Sequence, residues 1–459
     1  MRKKISEPTQ LTYITDLTVR QLNILRSPKN NETAYADSVR YLAELGIEIT
    51  NSRQPIQFLP NSNEPVHRWS PYVQGFSAKF VQRTIDAHRN DYQSPAILDP
   101  FAGSGTVIVQ SKLNAIESYG VELNPLLHFV SETKLNSWAT NPDNLLGIAR
   151  HLTIQKPTES PRFLKSEKHF NPGALRNLER LKGGIDSFDP TSSPDKHIKD
   201  LMLLAFASIL IDCSNLKRTP CLGYSRSKVV DDNAPFVLFS KKIEEIAEDL
   251  RMLQARYPRA NKCTSKMYLA NSMDFEHPQT YDLIITSPPY MNGLDYVINY
   301  KIEMGWLGFA ENHKQLKQVK DDMVVCDNVS KGLIRNFALN SGRYLNPWID
   351  EIKQNIYANI QRRGNYRRKD MPEIVHKYFD DMHKVMQKVV VALRNKGRFI
   401  LVIGDSLIAD TYLPTDLIIA RMGQEMGLSI ERIEKARNRH SGQIRSYKLR
   451  ETIVTLRKE

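Results

Sequence analysis

The feature that most restricts the fold is a strand, turn, helix and strand in immediate succession near residue 100. Ala96-Ile97-Leu98-Asp99 reads as a short buried strand entering the turn Pro100-Phe101-Ala102-Gly103-Ser104-Gly105-Thr106. Ser104 to Leu113 continues as a helix, and Ser118 to Glu122 is the next strand. Glycines at such a turn let the backbone reverse tightly and approach a ligand. Two buried strands joined through a helix run parallel. Further strands are expected at Met267 to Leu269, Tyr281 to Thr286, Arg398 to Ile403 and Glu451 to Leu456. Long amphipathic segments, Pro372 to Arg394 and Pro414 to Met426, lie between the later ones, with Pro414 at a first helical position and Gly427 as a C-cap. The alternation predicts an α/β protein with a doubly wound sheet. The last strand follows another at Leu428 to Glu434, and that pair is expected to run antiparallel at the edge.

Two stretches interrupt the alternation. Residues 126–262 read as mainly helical, notably Pro172 to Leu181, His197 to Ile211 and Val237 to Ala255. Residues 308–371 are rich in Lys, Arg, Asn and Tyr. Residues 1–66 hold helical patterns, clearest from Thr33 to Leu45 before Gly46. The expected organisation is a helical N-terminal extension over 1–66, a core over 67–125 and 263–459, a mainly helical insertion at 126–262 and a basic insertion at 308–371 within the core.

Composition narrows the class. A chain of 459 residues is too long for one compact core, and 41% hydrophobic with 25% charged residues fits a globular protein. The longest apolar run, Leu201 to Ile211, is too short to span a bilayer, so no membrane partner is expected. The basic start Met1-Arg2-Lys3-Lys4 has no apolar stretch behind it, so no secretory signal is expected. Cys213, Cys221, Cys263 and Cys326 lack C-x-x-C spacing, which argues against a metal site or disulfide framework and suits a reducing cytosol. Lys and Arg total 64 against 51 acidic residues, a net charge of +13. Such an excess points to a polyanionic partner, most commonly nucleic acid.

Three motifs carry chemistry. The Gly-rich turn is neither the G-x-G-x-x-G of dinucleotide folds nor the Lys-bearing loop that cradles nucleoside triphosphates. Glu122, in Gly120-Val121-Glu122-Leu123-Asn124-Pro125, tips the second strand, where an acidic side chain grips a ribose diol in comparable architectures. Asp282-Leu283-Ile284-Ile285-Thr286-Ser287-Pro288-Pro289-Tyr290 runs a buried strand into two prolines, which fix φ and leave carbonyls that no following helix turn uses. The Ser287 hydroxyl and the Pro288 carbonyl make a rigid pair of acceptors for an exocyclic amine, and Tyr290 offers a ring for base stacking.

At these residues the chain resembles the S-adenosylmethionine-dependent amino-methyltransferases of DNA, specifically the cytosine-N4 branch. The family pairs an F-x-G-x-G cofactor loop with a [DNS]-P-P-[YFW] tetrapeptide, and TSPPY is the variant typical of N4-cytosine enzymes. The resemblance covers roughly 67–125 and 267–457 and implies a Rossmann-like methyltransferase sheet. It implies that Asp99, Phe101, Gly103, Gly105 and Thr106 form the cofactor loop. Glu122 with Asn124 would meet the ribose, and Asp274 the adenine ring. Trp69 and Tyr72, in His67-Arg68-Trp69-Ser70-Pro71-Tyr72, would pack against the methionine moiety. Catalysis would fall to Ser287, Pro288, Pro289 and Tyr290, which draw the amine hydrogens away so that nitrogen attacks the sulfonium methyl directly. Pro220-Cys221 resembles the dipeptide of carbon-5 enzymes but sits far from the position that chemistry needs.

Basic residues suggest the DNA surface: Arg362, Arg363, Arg367 and Arg368 around Tyr366, then Arg437, Arg439 and Arg445 between the last two strands, and Arg218 in the helical insertion. The core over 67–125 and 263–459 would then be catalytic, with the insertion at 126–262 the candidate for target recognition and that at 308–371 for DNA contacts. The expected partner is double-stranded DNA, with a cognate restriction endonuclease as a candidate protein partner and a monomer or homodimer as the expected state. The implied setting is the prokaryotic cytoplasm, in association with the nucleoid. Adenine-N6 methylation, RNA guanine-N2 methylation and a non-catalytic DNA-binding module remain open at this point.

Overall fold

A computed structural model describes residues 48–459, apart from 53–55, 58, 74, 153–155, 220, 327 and 441–447. The helical pattern over 33–45, Pro220 and Arg445 therefore lie outside the described residues. Among the described residues below 66, the regular elements are a strand, β1 (Ile49–Asn51), and a short 3-10 turn at Leu59–Asn63.

In chain order the next elements are α1 (Ala78–His88), β2 (Ala96–Asp99), α2 (Thr106–Leu113), β3 (Glu117–Glu122) and α3 (Pro125–Asn136). The expected helical insertion follows as α4 (Pro142–Arg150), α5 (Pro172–Ser187), α6 (Ser193–Ile209) and α7 (Ala234–Arg256), with a small hairpin, β4 (Leu216–Arg218) and β5 (Leu222–Tyr224), between the last two. Then come β6 (Ser265–Leu269), β7 (Tyr281–Thr286), α8 (Lys301–Trp306), α9 (His313–Asp322), α10 (Lys331–Leu339), α11 (Pro347–Arg363) and α12 (Met371–Ala392). The chain closes with β8 (Leu393–Gly404), β9 (Ser406–Ile408), β10 (Thr411–Leu413), α13 (Thr415–Glu425), β11 (Leu428–His440) and β12 (Lys448–Lys458). The α/β, Rossmann-like expectation is met.

Two compact units divide these elements. The first comprises 56–272 and 294–323, and its strands run parallel in the order β2, β3, β6. Strand β2 is buried at every position, as a parallel strand covered on both faces must be. The insertion helices belong to this unit rather than forming a compact unit of their own. Asp249 of α7 ties them to the segment before α1: its carboxylate accepts from the Val66 N–H at 2.9 Å, from Arg68 Nη2 at 2.6 Å and from the Trp69 indole at 2.8 Å.

The second unit holds 48–52, 273–293 and 324–459. Strand β7 pairs parallel with β8, β12 lies antiparallel between β8 and β11, and β1 adds parallel to β11. The closing pair is antiparallel as expected, but β1 takes the edge outside it, and both strands outrun their apolar centres. Strand β11 continues through Lys435 to His440 because β12 supplies backbone partners along it, with one bulge between Lys435 and Arg437, which an apolar count cannot register.

The core of this second unit contains an ionic cluster. Arg450 is fully buried, with Nε 3.0 Å from Asp405 Oδ2 and Nη2 3.0 Å from Asp416 Oδ1. The Tyr412 hydroxyl also donates to Asp405. Burial pushes the Asp405 carboxyl up to about 8, with Arg450 opposing and Asp416 reinforcing the shift. Arg450→Met would leave two carboxylates buried without their cation, so a loss of about 3–5 kcal/mol is expected. A carboxyl whose folded pKa lies above its unfolded one favours folding as pH falls. The urea midpoint of the variant should therefore partly recover between about pH 8 and pH 4.

Candidate active site

Two constructions, one in each unit, carry the predicted chemistry. In the first unit, β2 delivers Asp99 to the start of the turn, where its buried carboxylate accepts the Phe101 N–H at 3.0 Å. Gly103 and Gly105 then take positive φ values of 53° and 82°. Thr106 opens α2 and is buried. Glu122, at the tip of β3, binds the turn to its neighbour: Oε2 accepts the Gly103 N–H at 2.8 Å and Oε1 the Asn124 N–H at 2.8 Å. The carboxyl is pushed up to about 7 by burial, against the pull of those two backbone donors.

The surroundings of this cradle are polar yet closed. Asn124 is buried and caps α3, its side-chain oxygen accepting the Leu126 N–H at 3.0 Å. It shapes the loop after Glu122 and is already engaged. Ser131 Oγ donates to the Gly103 carbonyl at 2.6 Å, and buried Lys134 Nζ reaches the Ser104 carbonyl at 3.2 Å. Burial lowers the Lys134 ammonium to about 7.

Tyr72 packs against the turn, and a Cβ placed on Gly103 would meet its hydroxyl at 2.7 Å. The Tyr72 ring is stacked by Tyr296 and Tyr300, with centroids 6.2 and 6.1 Å away. Trp69 is instead fully buried on Asp249, an anchor rather than an open surface. Phe101 is partly exposed. Asp274, in the turn after β6, is exposed and belongs to the other unit.

In the second unit, β7 is buried along its whole length and ends in the Ser287–Tyr290 corner. Pro288 is buried, while Ser287, Pro289 and Tyr290 are partly exposed. The Tyr378 hydroxyl of α12 donates to the Pro289 carbonyl at 3.0 Å. Tyr290 is held on several sides. Its hydroxyl donates to Glu451 Oε1 at 2.6 Å, and its carbonyl accepts the Gly293 N–H at 2.8 Å. The Arg439 guanidinium carbon lies 5.3 Å from the ring centroid, a cation–π distance. A Cβ on Gly404 would stand 2.8 Å from the ring, so only glycine admits the tyrosine there. Burial and then Glu451 hold the phenol well above its ordinary range.

The arginines divide. Arg362 and Arg367 are exposed at and beyond the end of α11. Arg363 pairs with Asp410, and Arg368 pairs with Asp370 at 2.6 Å. Arg437 pairs with Glu451, and Arg439 donates to the Asp405 carbonyl. Arg218 stands apart from any solvent-facing surface: its side chain is 8% exposed, pairs with Glu303 at 2.5 Å and lies 4.6 Å from the Tyr300 ring centre. A cation already neutralised and buried is a brace for the tyrosine stack, which corrects its expected place on the DNA surface.

Reading the sequence alone missed Tyr296, Tyr300, Ser131, Lys134, Tyr378, Gly404 and Glu451. Only Glu451 carried a signal, a carboxylate opening the apolar run Thr452-Ile453-Val454.

Comparison with known proteins bears on both constructions. The type II methyltransferase M.AvaI of Nostoc sp. is 24% identical over 93% of this chain and 91% of its own length. M.BsoBI of Geobacillus stearothermophilus is 22% identical over 87% and 86%, and M.MvaI of Kocuria varians 19% identical over 83% and 86%. The chain is similar to type II methyltransferases over most of its length. No family model matches it. An rRNA methyltransferase, aviRa from Streptomyces viridochromogenes, aligns at a TM-score of 0.33 and 10% identity over 89% of this chain and 96% of its own, a likeness too loose to build on.

For a methyltransferase of this kind the donor is S-adenosylmethionine, and the cradle fits it. Glu122 retains acceptor capacity beyond its two backbone donors, as a ribose diol requires. The positive-φ glycines leave the turn without side chains where a ligand approaches. No helix of the described residues is long and apolar enough to cross a membrane, and no cluster of metal-ligating side chains occurs among them.

Proposed function

We propose that this methyltransferase modifies the exocyclic N4 of cytosine in duplex DNA, as the modification half of a restriction system. The observation that carries this reading is the Ser287-Pro288-Pro289-Tyr290 corner, with serine in its first place and a tyrosine ring held by Glu451, Arg439 and Gly404. The relatives, each named a type II methyltransferase, support it, as does the net charge of +13. S-adenosylmethionine supplies an electrophilic methyl group on a sulfonium centre.

The residues of the chain then have distinct tasks. Asp99, Gly103, Gly105, Thr106 and Glu122 hold the donor, with Tyr72 packed behind the turn. Ser287 and the Pro288 carbonyl accept the amine hydrogens, which loosens the nitrogen lone pair from the cytosine ring. Because N4 is paired inside a duplex, the base is extruded, at a cost of a few kcal/mol. Stacking on Tyr290 returns about 1–3 kcal/mol of that. Arg362 and Arg367, exposed and flanking Gly364, suit phosphate contact. The helical insertion remains the proposed source of sequence recognition, a cognate endonuclease the proposed partner, and the nucleoid of a prokaryotic cytoplasm the proposed setting.

The test is direct. Duplex DNA treated with the chain and donor is digested to nucleosides and weighed by mass spectrometry, with tRNA treated in parallel. N4-methylcytosine in the duplex is the expected product. N6-methyladenine would reassign the base, and methyl groups confined to tRNA would reassign the substrate.

Glu122 adds a pH dependence. Only its ionised form accepts both ribose hydroxyls, and in the donor-free chain it takes up a proton near 7. Donor affinity should be full above about pH 8 and weaken about tenfold per unit below about pH 7. Calorimetric titration across that range checks this. Glu122→Gln should bind weakly and without the pH slope.

A further inference from the structure

Three consecutive residues, where β8 passes into β9, support the Tyr290 corner and the turn that follows it. Gly404 leaves room for the Tyr290 ring, which a Cβ there would meet at 2.8 Å. The Asp405 carbonyl accepts from Arg439 Nη2. The Ser406 hydroxyl donates to Asn292 Oδ1 at 3.1 Å, inside the turn that the Gly293 N–H closes on the Tyr290 carbonyl. Arg439 ties these contacts together. Its guanidinium carbon lies 5.3 Å from the Tyr290 ring centre, and the Nη2 that reaches Asp405 also stands 3.3 Å from Asn292 Oδ1. An arginine only donates, so both oxygens serve it as acceptors and hold the guanidinium against the ring.

The middle residue of the three is fixed from the core. Asp405 and Arg450 are fully buried and grip each other twice. Arg450 Nε donates to Asp405 Oδ2 at 3.0 Å, and the Asp405 N–H donates to the Arg450 carbonyl at 3.0 Å. Asp416 of α13 holds the other arm of Arg450 at 3.0 Å, and the Tyr412 hydroxyl donates to the Asp405 carboxyl. With its N–H and its side chain both engaged, residue 405 presents its carbonyl to Arg439 in one orientation. A buried ion pair is a weak source of net stability, because desolvation offsets the attraction. Its value at this place is directional.

We propose that Arg450 and Arg439 are positioning residues for the methyl transfer, the first clamping residue 405 from the core and the second carrying that fixed point to the ring of Tyr290. The inference rests on the reading of this chain as an amine methyltransferase whose target base stacks on Tyr290. In this role neither arginine touches the base or the donor. Arg439, read from the sequence as a DNA contact, becomes part of the support behind the corner.

Arg439→Met keeps the reach of the side chain but gives the Asp405 carbonyl no donor and the ring no cation. Arg450→Lys keeps a cation between the two carboxyls but replaces the fork with a single ammonium. Each should lower the single-turnover rate by about tenfold, less than the roughly 10²-fold that a full ångström of misplacement costs. Donor and duplex affinities should stay within about twofold, and the salt dependence of duplex binding should not change. The two substitutions break one path, so together they should cost about 30-fold or less, short of the roughly 100-fold product expected of independent sites.

Losses that multiply to that product would overturn the proposal. So would an Arg439→Met chain that turns over within about threefold of the natural one, even if Arg450→Lys failed to fold. A weaker and less salt-dependent grip on duplex DNA in Arg439→Met would return that residue to the DNA surface and refute its positioning role. The target base is decided separately, by the nucleoside that the natural chain produces, and the variants are compared on whichever product that is.

Discussion

Tyr290→Ala is expected to slow methyl transfer by about 10³-fold while donor affinity stays within about twofold, by the following magnitudes. Loss of the stacking face removes about 1–3 kcal/mol from the extruded state, of which about 1.4 kcal/mol is each factor of ten. The remaining loss is positional, since a misplacement of about 1 Å costs on the order of 10²-fold. The truncation also leaves Glu451 without its donor and Arg439 without the ring it covers. Donor affinity should hold because the cradle is self-supporting: the Gly103 N–H donates to the Glu122 carboxylate at 2.8 Å. Single-turnover methyl incorporation and calorimetric titration of the donor separate the two effects. Undiminished transfer by Tyr290→Ala would remove the ring from the reaction.

How far the sequence discloses such a site depends on how locally each part is made. The Gly-rich turn, Glu122 and the Pro-Pro corner are local, because each follows a buried strand whose apolar run and punctuating residues lie within ten or so positions. The strands bearing them, β2, β3 and β7, fall within one residue of their expected limits. The supports are not local. Tyr378 is one of many buried positions on α12, and nothing near it marks the Pro289 carbonyl as its partner. Tyr296 and Tyr300 stack on Tyr72 from far along the chain.

Charge was legible as an amount and not as an arrangement. Eight arginines were read as one kind of residue, yet the fold gives Arg218 to Glu303, Arg363 to Asp410, Arg368 to Asp370 and Arg437 to Glu451. A count of cations cannot anticipate this, because each pairing depends on which acidic side chain the topology brings alongside. The cationic surface is thus partly neutralised by the chain's own carboxylates, and Arg362, Arg363 and Arg367 have exposed positions in that loop.

Gly103→Val should eliminate measurable donor binding, by about 100-fold or more in affinity, with a far smaller effect on folding. Two costs add at this position. The backbone sits at φ +53°, where an L residue loses about 1–2 kcal/mol and a β-branched one more. The new Cβ would also stand 2.7 Å from the Tyr72 hydroxyl, and that ring has little room to retreat. Tyr296 and Tyr300 flank it, the Tyr300 hydroxyl takes the Val73 N–H at 3.1 Å, and the buried Arg218–Glu303 pair braces Tyr300 from behind. The turn must therefore move instead of the tyrosine, and the Gly103 N–H moves with it, away from Glu122. A carboxylate deprived of that donor no longer faces the ribose in a fixed orientation. Gly103→Ala should fall between the extremes, since it carries the φ penalty and one methyl group. Gly332→Ala in α10, where an added Cβ meets nothing within 4 Å, should bind donor normally and fold as well as the natural chain. Calorimetric titration of the donor, alongside urea midpoints for all three variants, distinguishes a damaged cradle from a damaged fold. Ordinary affinity in Gly103→Val would mean that the donor does not lie on this turn.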